Sequence, residues 1–203
     1  FPTRRSFRSV KQLLKNTYDI DAPEVVLVHV TGKAPHGVGP HDIAISLVKA
    51  TFASGFVTNK ILEFVGEGIG QLSIDFRNGV DVMTTETTCL SSIWETDDKV
   101  KAYYAAHGKA KDYKKLSPDR VAYYDKVIEL DLSTEKPMIA LPFHPSNAYT
   151  IDELKANAVE IFHAVDEENK DKFGKNVNFK ISDKIIGGKI HVDQGIIAGC
   201  AGG

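Results

Sequence analysis

Glu24-Val-Val-Leu-Val-His-Val-Thr31 is the stretch on which the fold turns. It is short, rich in β-branched residues and almost continuously apolar, the pattern of a strand buried on both faces of a sheet. Residues 32–39 follow as a Gly/Pro/His loop. Pro40 then opens a helix through Ile43, Ile45, Leu47, Val48 and Phe52 that Gly55 stops, since Pro suits a first helical turn and Gly an exit. Residues 61–65 read as a second strand, 66–70 as a turn, and 72–83 as a second helix carrying an internal Gly79. This βαβα order predicts a largely parallel or mixed sheet with helices on its faces, a three-layer α/β/α domain.

Further along, Asp97 or Thr96 can cap a helix through Val100, Tyr103 and Tyr104 to a stop at Gly108, and residues 127–132 alternate like a partly exposed strand. Thr150-Ile-Asp-Glu153 has the Thr and Glu three apart of a capping box, so a helix should run from there toward Asp166. Residues 167–175 read as a solvated linker or frayed helix end, and residues 189–192 with 195–198 as the start of a new sheet. The expected division is a leader at 1–22, an α/β domain at 23–145, and a linker helix with the first strand of a following domain at 146–203. The first residue is not Met, and the Arg/Ser bias of residues 1–9 fits a targeting segment, a cloning remnant or the cut edge of a longer chain. The closing Gly199-Cys-Ala-Gly-Gly203 reads as a second cut edge.

At 203 residues and 42% hydrophobic, the chain can bury one sizeable core, or one domain and part of another. A formal net charge of -2 gives no summed field to attract nucleic acid or anionic lipid, and neither is an expected partner. No apolar run reaches the roughly 18 residues that a membrane helix needs. Only Cys89 and Cys200 are present, far apart, which argues against a disulfide framework and for a reducing, cytoplasmic compartment.

Three local motifs carry possible chemistry. Gly66, Gly68 and Gly70 stand between a strand and a helix, the context of a phosphate cradle, but their spacing matches neither the dinucleotide fingerprint nor a P-loop, so tight-turn glycines are the plainer reading. His36, His41 and His144, with Asp42, lack zinc-motif spacing and read as loop histidines beside a capping aspartate. Asp81-Val-Met-Thr-Thr-Glu-Thr-Thr-Cys-Leu-Ser-Ser92 gathers a carboxylate, hydroxyls and a thiol near an edge of the sheet, and edges of open α/β sheets are where ligands bind. Residues 84–88 also fit a self-capping polar loop. Cys200, among small residues after an apolar strand, reads by itself as a buried structural thiol.

A longer pattern goes beyond these motifs. Thr31-Gly-Lys33, Pro40-His-Asp-Ile43, Glu63-Phe-Val-Gly-Glu-Gly-Ile69, Ile128-Glu-Leu-Asp-Leu-Ser133, the stretch 137–142 and the run ending at Cys200 occur in the order found in the aconitase superfamily of iron-sulfur hydro-lyases, which the chain resembles from about Pro23 onward. The resemblance implies a parent enzyme that reversibly dehydrates a small di- or tricarboxylic hydroxy acid. It implies a [4Fe-4S] cluster held by three cysteines, with one iron open as a Lewis acid. Laid without gaps on the family pattern, residues 73–103 bring Glu86 onto the active-site glutamate; Thr84, Thr85 and Thr88 beside it are read as supporting hydroxyls. Cys200 falls on the first cluster cysteine, and the other two lie outside this sequence. The resemblance therefore implies that the chain is inactive alone and works with the remaining domains of its parent. Val82 stands where aconitases have an asparagine, and Ala201-Gly202 where they have Thr-Asn, so two hydrogen-bonding groups expected around the cluster are missing. The competing readings are a noncatalytic α/β module that grips an anion at Gly66–Gly70, and an architectural domain.

Overall fold

A computed structural model describes residues 12–17, 20–172 and 178–195. Four parallel strands form the central sheet: β1 (Val25–Thr31), β2 (Ile61–Val65), β3 (Ser91–Trp94) and β4 (Lys126–Asp131), in the order β3-β2-β1-β4. Helix α1 (Pro40–Thr51) links β1 to β2, and α2 (Ile74–Asp81) links β2 to β3. Both crossovers step the same way across the sheet, so the right-handed rule puts both helices over one face. The packing agrees, because Val26, Val28 and Val30 of β1 and Leu62 and Phe64 of β2 are fully buried against Ile43, Ala44 and Leu47 of α1 and Val80 of α2. Gly79 lets the helices approach closely: a Cβ there would lie 2.8 Å from the Pro40 ring.

The opposite face is covered more thinly. Helix α3 (Asp98–Ala106) flanks α2, and the chain then returns along residues 117–124 over Val25 and Glu63 before entering β4. Burial, with the nearby Glu63 and Glu95 carboxylates, pushes the Tyr124 phenol above its ordinary value. On this face Val127 stays 48% exposed, and an exposed His29–Glu129 pair at 2.8 Å joins β1 to β4. The reading of β1 as buried on both faces is therefore corrected: its burial alternates, Val26, Val28 and Val30 inward, with Val25, Leu27 and His29 half-buried on the other side. The parallel sheet with flanking helices is otherwise the α/β architecture the sequence predicts.

Beyond β4 the chain forms an antiparallel hairpin, β5 (Met138–Ala140) with β6 (Ala148–Thr150), and then α4 (Ile151–Asn169). The expected capping box is present, the Thr150 hydroxyl accepting from the Glu153 amide at 3.1 Å while the Glu153 carboxylate accepts from the Thr150 amide at 2.8 Å. Asn157 breaks the helical dihedrals inside α4, and its Nδ2 donates to the Glu153 carbonyl at 3.1 Å, so a side chain competes with the helical ladder there. Leu141, Leu154, Phe162 and Val165 make a second small core with Ile185 of β7 (Ile185–Ile186) and Ile190 of β8 (Lys189–Ile190), a short hairpin. The division expected between 145 and 146 falls in the turn of the β5-β6 hairpin. Asp42 Oδ1 accepts from the Met138 amide at 2.6 Å, and Phe52 stacks on His144 at 3.7 Å, so α1 docks directly on that hairpin.

Candidate active site

The hydroxyl-rich segment begins where α2 ends. Residues Thr84–Thr87 wind one 3-10 turn, Thr88 takes a left-handed conformation with φ of 63°, and the chain then enters β3. Because β3 begins at Ser91, this turn lies at the amino edge of the parallel sheet. The general preference of α/β folds for ligands at the carboxyl edge therefore lends the segment no support. The carboxyl edge instead holds a cavity of about 760 Å³, lined among others by His36, Ser133, Glu135, Lys136 and Lys155. Burial, opposed by a Ser46 hydrogen bond and reinforced by Asp42 and Asp131, pushes the Glu135 carboxyl up.

Within the turn the side chains divide by direction. Thr84 and Thr87 are buried, at 4% and 0% exposure, whereas Thr85 and Glu86 face solvent. Thr84 Oγ1 donates to the Asp81 carbonyl at 2.8 Å and lies 3.3 Å from Ser92 Oγ; Thr87 Oγ1 donates to the Thr84 carbonyl at 2.6 Å. Asp81 Oδ1 accepts from Ser92 Oγ at 2.6 Å and from Trp94 Nε1 at 2.8 Å. Thr88 Oγ1 pairs with Thr58 Oγ1 at 2.8 Å, while the Thr88 carbonyl accepts from the Asn59 amide at 3.0 Å. Cys89 is half-buried and its thiol donates to the Thr84 carbonyl at 3.3 Å. The turn is thus fastened to α2, β3 and the β2 approach by its own hydroxyls, and it holds up one outward carboxylate, Glu86.

This geometry sorts the sequence-predicted residues. Thr84 is engaged inside the protein, Thr88 is exposed with its hydroxyl paired to that of Thr58, Thr85 stands beside Glu86 at the surface with its hydroxyl donating to the Val82 carbonyl at 3.3 Å, and Cys200 lies outside the described residues. Sequence reasoning missed the link from Asp81 through Ser92 to Trp94. The signal was a carboxylate closing a helix eleven residues before a Ser-x-Trp strand, legible only once that strand is recognised.

The glycine turn is a packing device. Gly66 has φ of 132°, and a Cβ there would fall 2.3 Å from the Val30 carbonyl oxygen; at Gly68 one would fall 2.9 Å from the Thr31 carbonyl oxygen. The nearby cations are directed at carbonyls: Arg77 Nη2 donates to Ile69 and Leu72, and Lys99 Nζ to Gly70 and Leu72. Arg77 is buried and forms an ion pair with Asp97, whose side chain also caps α3 through the Val100 amide. Burial raises the Asp97 carboxyl, but the Arg77 guanidinium and that capping bond together hold it below its ordinary value. A turn whose carbonyls are gathered by two cations is the reverse of an anion cradle.

Among the loop histidines, Asp42 takes the capping role. Asp42 Oδ2 accepts from the Gly39 amide at 2.7 Å, capping α1, and no group of three or more His, Cys, Asp and Glu side chains suited to a metal ion occurs among the described residues.

A sequence model of the aconitase family (aconitate hydratase) matches residues 7–203. The chain belongs to the aconitase family. Its relatives include the 3-isopropylmalate dehydratase large subunits of Elusimicrobium minutum, 31% identical over 89% of this chain and 41% of that protein, and of Clostridium botulinum, 33% identical over 87% and 38%. The mitochondrial aconitate hydratase of Candida albicans is 33% identical over 70% of this chain and 19% of its own length. This aconitase-family chain thus spans about two-fifths of the dehydratase subunits and about one-fifth of the aconitate hydratase. Among the described residues no helix is long and apolar enough to cross a membrane.

Proposed function

We propose that this chain supplies the Glu86-bearing domain of a hydro-lyase that reversibly removes and adds water on a small di- or tricarboxylic hydroxy acid, in concert with the remaining domains of a longer protein. Family membership over residues 7–203 carries the reading, and the outward Glu86 on a braced turn supports it. The role of Glu86 is to hydrogen-bond the substrate hydroxyl and manage its proton as water leaves or returns. Thr85, whose hydroxyl donates to the Val82 carbonyl, is the neighbouring surface hydroxyl with acceptor capacity left to assist, whereas Thr84 and Thr88 act through the turn.

A [4Fe-4S] cluster is part of the proposal for the full-length protein, with Cys200 as one of its three thiolates. The described residues do not by themselves fit a cluster: Cys89 is half-buried with its thiol directed at a backbone carbonyl. We place the protein in the cytoplasm because two cysteines far apart in sequence suit a reducing compartment. The reading as an anion-gripping module loses its basis in the carbonyl-facing cations of the glycine turn.

Glu86→Gln in the full-length protein tests the reading. Hydration of aconitate and dehydration of 3-isopropylmalate, the acids named by the relatives, are followed by the ultraviolet absorbance of the unsaturated acid. Loss of a positioned acid/base should lower kcat by about 10²–10⁴-fold. Unchanged turnover on an accepted substrate removes Glu86 from the mechanism. Iron-sulfur absorption and EPR that vanish in Cys200→Ser are the expected sign of the cluster, and a cluster indifferent to Cys200→Ser would exclude that ligand.

A further inference from the structure

Glu86 is the side chain the proposed chemistry uses, yet the shortest buried hydrogen bonds of the region belong to groups behind it. Asp81 is the hub. Its carboxylate accepts from Ser92 Oγ and Trp94 Nε1, its carbonyl accepts from Thr84 Oγ1, and the Thr84 carbonyl accepts in turn from Thr87 Oγ1 and the Cys89 thiol. Thr84 and Thr87 flank Glu86 on both sides, and the Glu86 amide donates to the Met83 carbonyl at 3.0 Å. The backbone that aims Glu86 is therefore fixed from the inside at two points, by hydroxyl bonds to the Asp81 and Thr84 carbonyls, and the Asp81 carboxylate reaches this turn through Ser92 Oγ, which lies 3.3 Å from Thr84 Oγ1.

A purely structural carboxylate would have a plainer placement. Asp81 is the last residue of α2, where the helix dipole presents negative charge, so an acid there is unfavourable unless it is hydrogen-bonded. Two donors from β3 supply that compensation. Trp94 is at the same time fixed by a parallel stack on Phe64, with ring centroids 4.1 Å apart. The indole donor thus sits on a rigid base formed by the sheet core.

We propose that Asp81 is a positioning residue for Glu86, holding the Thr84–Thr87 turn on β3 so that the outward carboxylate meets the substrate in one orientation. This rests on Glu86 acting at the substrate. Misplacement of a reacting group by about 1 Å can cost about 10²-fold in rate, so loosening this network acts on kcat more than on substrate affinity.

The Trp94 indole N-H resonance, assigned by its loss in Trp94→Phe, reports on the bond directly. In the full-length protein, Asp81→Leu removes the acceptor, while Asp81→Asn keeps one oxygen for the indole and Ser92. The expected result for Asp81→Leu is an upfield shift of the Trp94 indole N-H resonance and a kcat lowered about 10–100-fold with KM held within about threefold. Asp81→Asn should restore both the resonance and most of kcat. Thr84→Val, which deletes the hydroxyl at nearly constant volume, gives the same kcat loss with circular dichroism unchanged and serves if Asp81→Leu does not fold. An indole bond lost with kcat intact, while Glu86→Gln is slow in the same assay, overturns the positioning role alone. Intact kcat in Glu86→Gln overturns the underlying reading and the positioning role with it.

Discussion

Replacing Gly66 by alanine is the sharpest test of why the β2-to-α2 turn is glycine-rich. Gly66 sits at φ 132° and ψ 166°, a region essentially closed to residues with a Cβ, and holding a non-glycine residue there costs about 1–3 kcal/mol. The added Cβ would also lie 2.3 Å from the Val30 carbonyl oxygen and 3.0 Å from the Val30 amide nitrogen, backbone atoms of the central strand that cannot turn aside. Forcing such a contact adds about 1–3 kcal/mol. The sum, about 2–6 kcal/mol, is a large share of the about 5–15 kcal/mol that holds a typical domain folded. Gly70 in the same turn is the control: a Cβ there meets nothing within 4 Å, so Gly70→Ala should change stability by no more than about 0.5 kcal/mol. Urea unfolding followed by Trp94 fluorescence reads both variants, the midpoint shifting at constant slope if only stability changes. Equal, small shifts for Gly66→Ala and Gly70→Ala would refute the packing account.

Arg77→Met should lower stability by about 3–5 kcal/mol or less, because Asp97 keeps some solvent access after its buried partner is removed. The Asp97 carboxyl is held below its ordinary value in the folded state, so its contribution is full above the unfolded pKa and fades as pH falls through the folded one. Unfolding titrations across the acid range should find this pH dependence reduced in Arg77→Met, and an unaltered profile would dissociate the pair from acid stability. Thr87→Val should destabilise by about 1–3 kcal/mol, since it removes a buried donor from the Thr84 carbonyl and an acceptor from the Cys89 amide, whereas exposed Thr85→Val should stay within about 0.5 kcal/mol. Thermal unfolding of the two variants separates these outcomes.

Much of the fold was legible because its signals are local and strong. β2 falls on the expected residues 61–65, β1 begins one residue late, and the capping box at Thr150 is formed. β3 was not anticipated: Ser91-Ser-Ile-Trp94 lacks an apolar run because it is an edge strand, paired only with β2 and partly exposed. The hairpin Met138–Ala140 with Ala148–Thr150 escaped for a related reason, each strand being three residues long and fixed by docking on α1 rather than by its own pattern. The burial of β1 was overestimated because composition registers hydrophobicity, whereas the second face is covered by an irregular segment that no periodicity announces.

The candidate site was harder, and the hydroxyls explain why. Sequence reading treats Thr84, Thr85, Thr87 and Thr88 as equivalent polar groups and infers a surface able to bind something. In a 3-10 turn, residues three apart point the same way, so Thr84 and Thr87 share the inner side while Thr85 and Glu86 take the outer one. Inner hydroxyls at that spacing meet backbone carbonyls of the turn itself, and the buried donors that would otherwise call for a ligand are satisfied within it. A hydroxyl-rich segment at a helix end is therefore weak evidence of binding groups and better evidence of a braced support. What singles out Glu86 is its contrast with neighbours that all turn inward or pair with the protein. The positioning proposed for it accordingly runs through Asp81, Ser92 and Trp94, three half-buried residues packed behind the turn.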